Sequence, residues 1–122
     1  MSRTARHALV FLLSLSFIVA CPLSGRAEKK HLAEEKGIKS VNSDVEAKIK
    51  FDNKSGKTVK VYWLNFDGNR ELYQTLKDGE SHEQETYLTH PWVITDENDN
   101  AWYVYFPDAQ PRTVEIVAPK KS

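Results

Sequence analysis

From residue 45 onward, apolar side chains recur at every second position. Val45, Ala47, Ile49 and Phe51 alternate with Glu46, Lys48, Lys50 and Asp52, and Val59, Val61 and Trp63 alternate with Lys60 and Tyr62. Successive side chains of an extended backbone point to opposite sides, so this period belongs to strands with one buried face. Turn-forming residues separate the runs. Asn53-Lys54-Ser55-Gly56 closes the first, Asp67-Gly68 the second and Asp78-Gly79 the third, while Glu97-Asn98-Asp99-Asn100 falls between two later runs. Asp-Gly between apolar alternations signals a hairpin, because the tight turn demands a positive φ that glycine supplies freely. Further strands are predicted over about 81–87, 91–95, 101–106 and 112–118, with Pro107, Pro111 and Pro119 near their ends. Seven short strands spaced by roughly ten residues predict an all-β fold, a seven-stranded antiparallel β-sandwich. No helix-period segment lies between them, which argues against a parallel α/β sheet.

The start of the chain has a different character. Arg3, Arg6 and His7 precede an apolar run from Ala8 to Ala20. At 13 residues this run is shorter than the roughly 20 that span a bilayer. A basic start followed by a short apolar run is the pattern of a secretory signal. Ile18-Val19-Ala20-Cys21 resembles the lipobox of bacterial lipoproteins, which makes Cys21 a candidate for lipidation and residues 1–20 the signal peptide. The alternative cut follows Gly25-Arg26-Ala27 and would make the signal 1–27. Cys21 is the only cysteine, so the chain forms no internal disulfide. The expected location is therefore outside the cytoplasm: periplasmic or membrane-anchored as a lipoprotein, otherwise secreted. Residues 21–39 are charged and poor in large apolar groups, and are expected to form a solvated tether. The sandwich is expected over 40–118, with 119–122 as a tail.

The charge balance narrows the partners. The full chain carries 17 basic and 17 acidic residues, and losing residues 1–20 removes Arg3 and Arg6, leaving a net charge of −2. Such a domain has no electrostatic footprint for nucleic acid, and it is expected to meet a membrane only through a lipid on Cys21. Catalytic signatures are absent: the domain holds no cysteine nucleophile, no Gly-x-Ser-x-Gly and no phosphate-cradling glycine loop. Asp44, Asp67, Asp78 and Asp96 lie near strand ends or in turns, where carboxylates serve local hydrogen bonding. His82 and Glu85 are three apart on a predicted strand and point to opposite faces, so they cannot chelate one ion. No enzyme activity, metal or cofactor is expected. One segment stands out, Thr86-Tyr87-Leu88-Thr89-His90-Pro91-Trp92, dense in aromatic and hydroxyl groups. It reads either as a corner whose rings simply pack, or as a recognition pocket with rigid apolar walls and a few aimed hydrogen bonds.

At these residues the chain resembles a known family. Trp63-Leu64-Asn65-Phe66-Asp67-Gly68 is very similar to the hallmark of the von Hippel-Lindau β domain. Ser40-Val41-Asn42-Ser43, Phe51, Asn53, Ser55, Tyr73, Thr75-Leu76, Gly79, Tyr87, His90 and Trp92 fall at that family's spacing without a gap. The resemblance implies a seven-stranded sandwich that binds an extended peptide carrying 4-hydroxyproline. It implies that Trp63, Tyr73, Tyr87 and Trp92 wall the proline ring, and that Thr86 and His90 hydrogen-bond its hydroxyl. Asn42, with Tyr87, would hold the ligand's flanks. Two departures bear on the ligand: Asp44 stands where the family has arginine and Glu85 where it has histidine, so basic flanking residues are expected in the peptide. The family's helical second domain has no counterpart in this sequence, so neither elongin nor a ubiquitin ligase is an expected partner. The leading expectation is a non-catalytic peptide-binding module with a pocket for hydroxyproline or a proline-like residue. Its rival is a structural or assembly role, as an envelope lipoprotein without a specific pocket. A hydrolase or carbohydrate-active domain lacks the acid pair that chemistry needs.

Overall fold

The structure, a computed structural model, describes residues 29–120. The signal segment, the alternative cut at Ala27 and Cys21 lie outside the described residues. Seven strands form two sheets. They are β1 (Glu46–Asn53), β2 (Val59–Leu64), β3 (Arg70–Leu76), β4 (Ser81–Tyr87), β5 (Trp92–Thr95), β6 (Ala101–Tyr105) and β7 (Arg112–Ile116). One sheet has the order β4-β1-β7 and the other β3-β2-β5-β6. Most of the alternating residues meet between them: Ile49, Phe51, Val59, Val61, Ile94 and Ile116 are fully buried, whereas Val45 precedes β1 and is 48% exposed, having no strand partner to face it inward. Trp92 joins this core, with its ring centroid 6.1 Å from that of Phe51.

The expected antiparallel arrangement needs one correction. β1 pairs with β7 in parallel, with Phe51 opposite Val114, while every other pair is antiparallel. Alternation specifies which face of a strand is buried and says nothing of its direction. A hairpin forces antiparallel pairing, but β7 reaches β1 by crossing over from β6 in the other sheet.

Buried polar groups tie the turns. Asn53 is fully buried; its amide donates to the carbonyls of Lys57 (2.8 Å) and Leu76 (3.0 Å) and its oxygen accepts from Ser55 N–H (3.0 Å). Gly68 has φ +83°, and an added Cβ there would sit 3.3 Å from the Ile38 carbonyl oxygen. The left-handed conformation reserves that position for glycine, and the close Ile38 carbonyl would have to shift to admit a Cβ.

Residues 29–39, expected to belong to a solvated tether, dock against the sandwich instead. A one-turn helix, α1 (Leu32–Glu35), is closed by a capping box between His31 and Glu34. Glu34 then meets Arg70 in a two-pronged pair, Nε to Oε2 at 2.8 Å and Nη2 to Oε1 at 2.9 Å. Ala101 N–H donates to the Lys29 carbonyl at 2.8 Å. Among its charged side chains Glu34 finds a partner on a strand 36 residues further on, while Glu35, Lys36 and Lys39 stay exposed.

Candidate functional site

At one end of the sandwich a cleft of about 350 Å³ is lined by Trp63, Phe66, Tyr73, Thr86, His90 and Trp92, with Glu85 and Tyr87 at its side. Each arrives by its own route. Trp63 shares the core face of β2 with Val59 and Val61 and lies opposite Trp92 on β5. At the strand's end it is only half buried, so one ring both packs on the core and walls the cleft.

Tyr73 depends on a fault in the pairing. Val61 is opposite Gln74 and Tyr62 is opposite Leu72, so Tyr73 is the extra residue of a β-bulge. Alternation from Leu76 and Gln74 would turn Tyr73 to the outer surface. The bulge resets that parity, and the ring packs edge-on against Trp92 (5.0 Å) and Trp63 (6.2 Å).

Thr86 and His90 come from the end of β4 and the turn after it. Thr86 faces inward, opposite Ala47, and is buried. Its hydroxyl oxygen accepts from the Trp92 indole N–H at 3.1 Å, which leaves the Thr86 hydrogen available as a donor. The turn is closed by His90 N–H donating to the Tyr87 carbonyl at 3.0 Å. Pro91, next in sequence and just before β5, favours an extended backbone at His90. The imidazole sits among Trp63, Phe66 and Tyr87, with ring centroids 5.4 to 5.5 Å away. Burial among these rings holds its pKa below the ordinary histidine value, so the ring is neutral at neutral pH.

Four of the walls remain accessible: Phe66, Tyr73 and Tyr87 are 45%, 44% and 39% exposed, and Trp63 is intermediate. Trp92 differs from the expected wall. At 2% exposure it is a core residue whose ring forms the cleft floor, with its nitrogen already committed to Thr86. Asn42 is exposed on the segment before β1 and does not line the cleft. Phe66 does line it, although its place in the hallmark hexapeptide gave it no assigned role. The available signal was a large apolar ring within the polar turn Asn65-Phe66-Asp67-Gly68-Asn69, where local turn formation does not call for one.

Among the described residues, the one buried side-chain polar atom without a hydrogen bond is the Trp63 indole nitrogen. Such groups are scarce in folded proteins because each costs about 1–3 kcal/mol. Neither His90 nitrogen makes a hydrogen bond within the described residues. What the cleft can do chemically is therefore limited and specific. It offers apolar ring faces, one oriented hydroxyl donor and one neutral imidazole, and no acid pair or nucleophile with its base.

The family model of the VHL beta domain matches residues 38–105, more than half of the chain. The match runs from the segment that docks behind Gly68 to the end of β6, and includes every residue lining the cleft.

Proposed function

The chain belongs to the VHL β-domain family, a family of non-catalytic protein-binding modules, and on that premise we propose that its aromatic cleft receives a 4-hydroxyproline or proline-like residue of an extended peptide. The observation that carries this reading is the unmatched hydrogen-bonding capacity inside an apolar cleft. Trp92 occupies the acceptor side of the Thr86 hydroxyl, so Thr86 would donate to the ligand's hydroxyl oxygen. The ligand's own O–H would then be accepted by the neutral imidazole of His90. Trp63, Tyr73 and Tyr87 would enclose the pyrrolidine ring, with Trp92 as floor. The cleft, at about 350 Å³, is at the small end of ligand pockets, which suits one five-membered ring. Glu85, exposed at the side of the cleft, favours a basic residue in the flanking peptide.

The rival assembly role draws support from the burial of Trp92, which serves the core whether or not a ligand binds. It gives no reason for two exposed rings, Phe66 and Tyr87, packed on an unbonded imidazole, so the peptide-binding reading is preferred.

The test is fluorescence anisotropy with two peptides identical except for proline against 4-hydroxyproline. The hydroxylated peptide is expected to bind about tenfold to a hundredfold more tightly, the worth of one buried hydroxyl that would otherwise leave its partners unsatisfied. His90→Ala should erase that preference. Equal binding of the two peptides, or binding of neither, would remove the hydroxyproline reading and favour the assembly role.

Export belongs to the same proposal. The basic start, the short apolar run and the lone Cys21 support a lipid-anchored protein whose cleft faces the cell exterior or the periplasm. Palmitate labelling lost in Cys21→Ser, together with release from the membrane fraction, is the expected result. Labelling that persists in the variant would remove the anchor.

A further inference from the structure

The two walls of the cleft that lie between strands are held by one stretch of chain that lines none of it. Phe66 sits in the β2–β3 loop, and His90 in the β4–β5 turn. Residues 29–45 touch both. Ser40, 3% exposed, donates its hydroxyl to the Leu64 carbonyl at 2.6 Å, and its N–H donates to the Asn65 carbonyl at 3.1 Å. Further along, the Val41 carbonyl accepts from the Thr89 hydroxyl, and the Val45 carbonyl accepts from Leu88 N–H at 3.0 Å. The near end of the stretch is fixed by the Glu34–Arg70 pair, whose side chains are 4% and 11% exposed, and by Lys29 against Asn100 and Ala101.

We propose that residues 29–45 act as a strut that sets the spacing of the Phe66 loop and the His90 turn, with Ser40, Glu34 and Arg70 as positioning residues for the cleft. The physical basis is the order of attachments. Arg70 opens β3 directly after the Phe66 loop and is held from three sides: by Glu34, by the Asp99 carbonyl at 2.8 Å and by the Lys29 carbonyl at 3.3 Å. Gly68 leaves room for the Ile38 carbonyl to lie against that loop. Undocking of α1 therefore withdraws the backing of the loop just behind Phe66. Phe66 in turn meets His90 edge-on at 5.4 Å, so a loosened loop opens the imidazole to water. The sandwich core contains no residue of the strut, so the strut can yield while the core persists.

The strut rests on the peptide-binding reading only for its effect on affinity, and a second readout needs no ligand. The His90 imidazole of the full chain is titrated by NMR, and affinity is measured with the 4-hydroxyproline peptide used above. Glu34→Gln is expected to move the His90 midpoint up toward the ordinary value and to weaken the peptide about threefold to tenfold. Glu34→Asp, which keeps the negative charge facing Arg70, should shift both readouts less than Glu34→Gln does. Ser40→Ala, which removes one hydrogen bond and leaves the ion pair intact, should shift both readouts in the same direction by less. Unchanged His90 titration in both Glu34→Gln and Ser40→Ala would overturn the strut. A shifted titration in a protein that binds neither peptide would support the strut and overturn the reading of the cleft.

Discussion

Two regions flank the β2–β3 loop, and they treat polar groups in opposite ways. On the Gly68–Asn69 side lies a polar cleft in which charges are matched. Arg70 forks onto Glu34, and Asp99 accepts from both Lys60 Nζ, at 3.1 Å, and the Tyr62 hydroxyl. Burial alone would raise the Glu34 and Asp99 pKa values, yet both lie below the usual carboxylate range because Arg70 and, for Asp99, Tyr62 and Lys60 stabilise the charged form. On the Phe66 side, rings are exposed, the imidazole is unbonded and an indole N–H is orphaned. Matched polar groups hold a structure together, whereas unmatched ones in an apolar setting are what a ligand can satisfy. The contrast separates a region whose polar groups are matched within the fold from one whose polar groups are not, within a single loop's reach.

Substitutions can break this contrast, and the largest effect is expected where the two roles coincide. Trp92→Ala removes the cleft floor and a core ring together and should cost about 3–5 kcal/mol in urea unfolding. A loss below about 1 kcal/mol would mean the floor is not core. Thr86→Val keeps the shape but strands the Trp92 N–H in a buried site. We expect a loss of about 1–3 kcal/mol in the same assay. Arg70→Ala acts on the polar region. Leaving a buried carboxylate unpaired can cost about 3–5 kcal/mol, but here α1 can undock and rehydrate Glu34, so the loss is expected to fall below that range. Limited proteolysis within residues 29–39 should accelerate in this variant; unchanged cleavage would show that the pair does not hold the arm. Tyr87→Ala and His90→Ala should change stability least, by about 0.5 kcal/mol, since one ring is well exposed and the other makes no hydrogen bond. Large losses there would reassign the cleft to the core.

Acid sharpens the same comparison. The Glu34 and Asp99 carboxyls have lower pKa values folded than unfolded, so their contribution is present above the ordinary values of 4.5 and 3.8 and is lost as pH falls through the folded ones. His90 also titrates lower when folded, so stability begins to decline as pH drops below its ordinary 6.5. Two components should therefore appear in an acid titration of stability. His90→Ala should remove the upper one and leave the lower. A single carboxylate-range transition in the unmodified protein would show that His90 is hydrated when folded.

The amino-acid sequence by itself determined the strand count, the turns and the buried faces of β1 and β2, because alternation and Asp-Gly turns are local properties. Ile49, Phe51, Val59 and Val61 went to the core as their spacing required. It also brought Trp63, Tyr73, Thr86, Tyr87, His90 and Trp92 together, through likeness to a family rather than through periodicity. What remained belongs to pairs of distant segments. Only the β2–β3 register shows that Tyr73 is a bulge and turns inward. Only the crossover between sheets makes β7 parallel to β1. Residues 29–39 look solvated until Arg70 meets Glu34, since a charged segment carries no mark of a partner strands away. Tertiary structure decided these points because a strand's parity, its direction and a charge's solvation each depend on what lies opposite it in space.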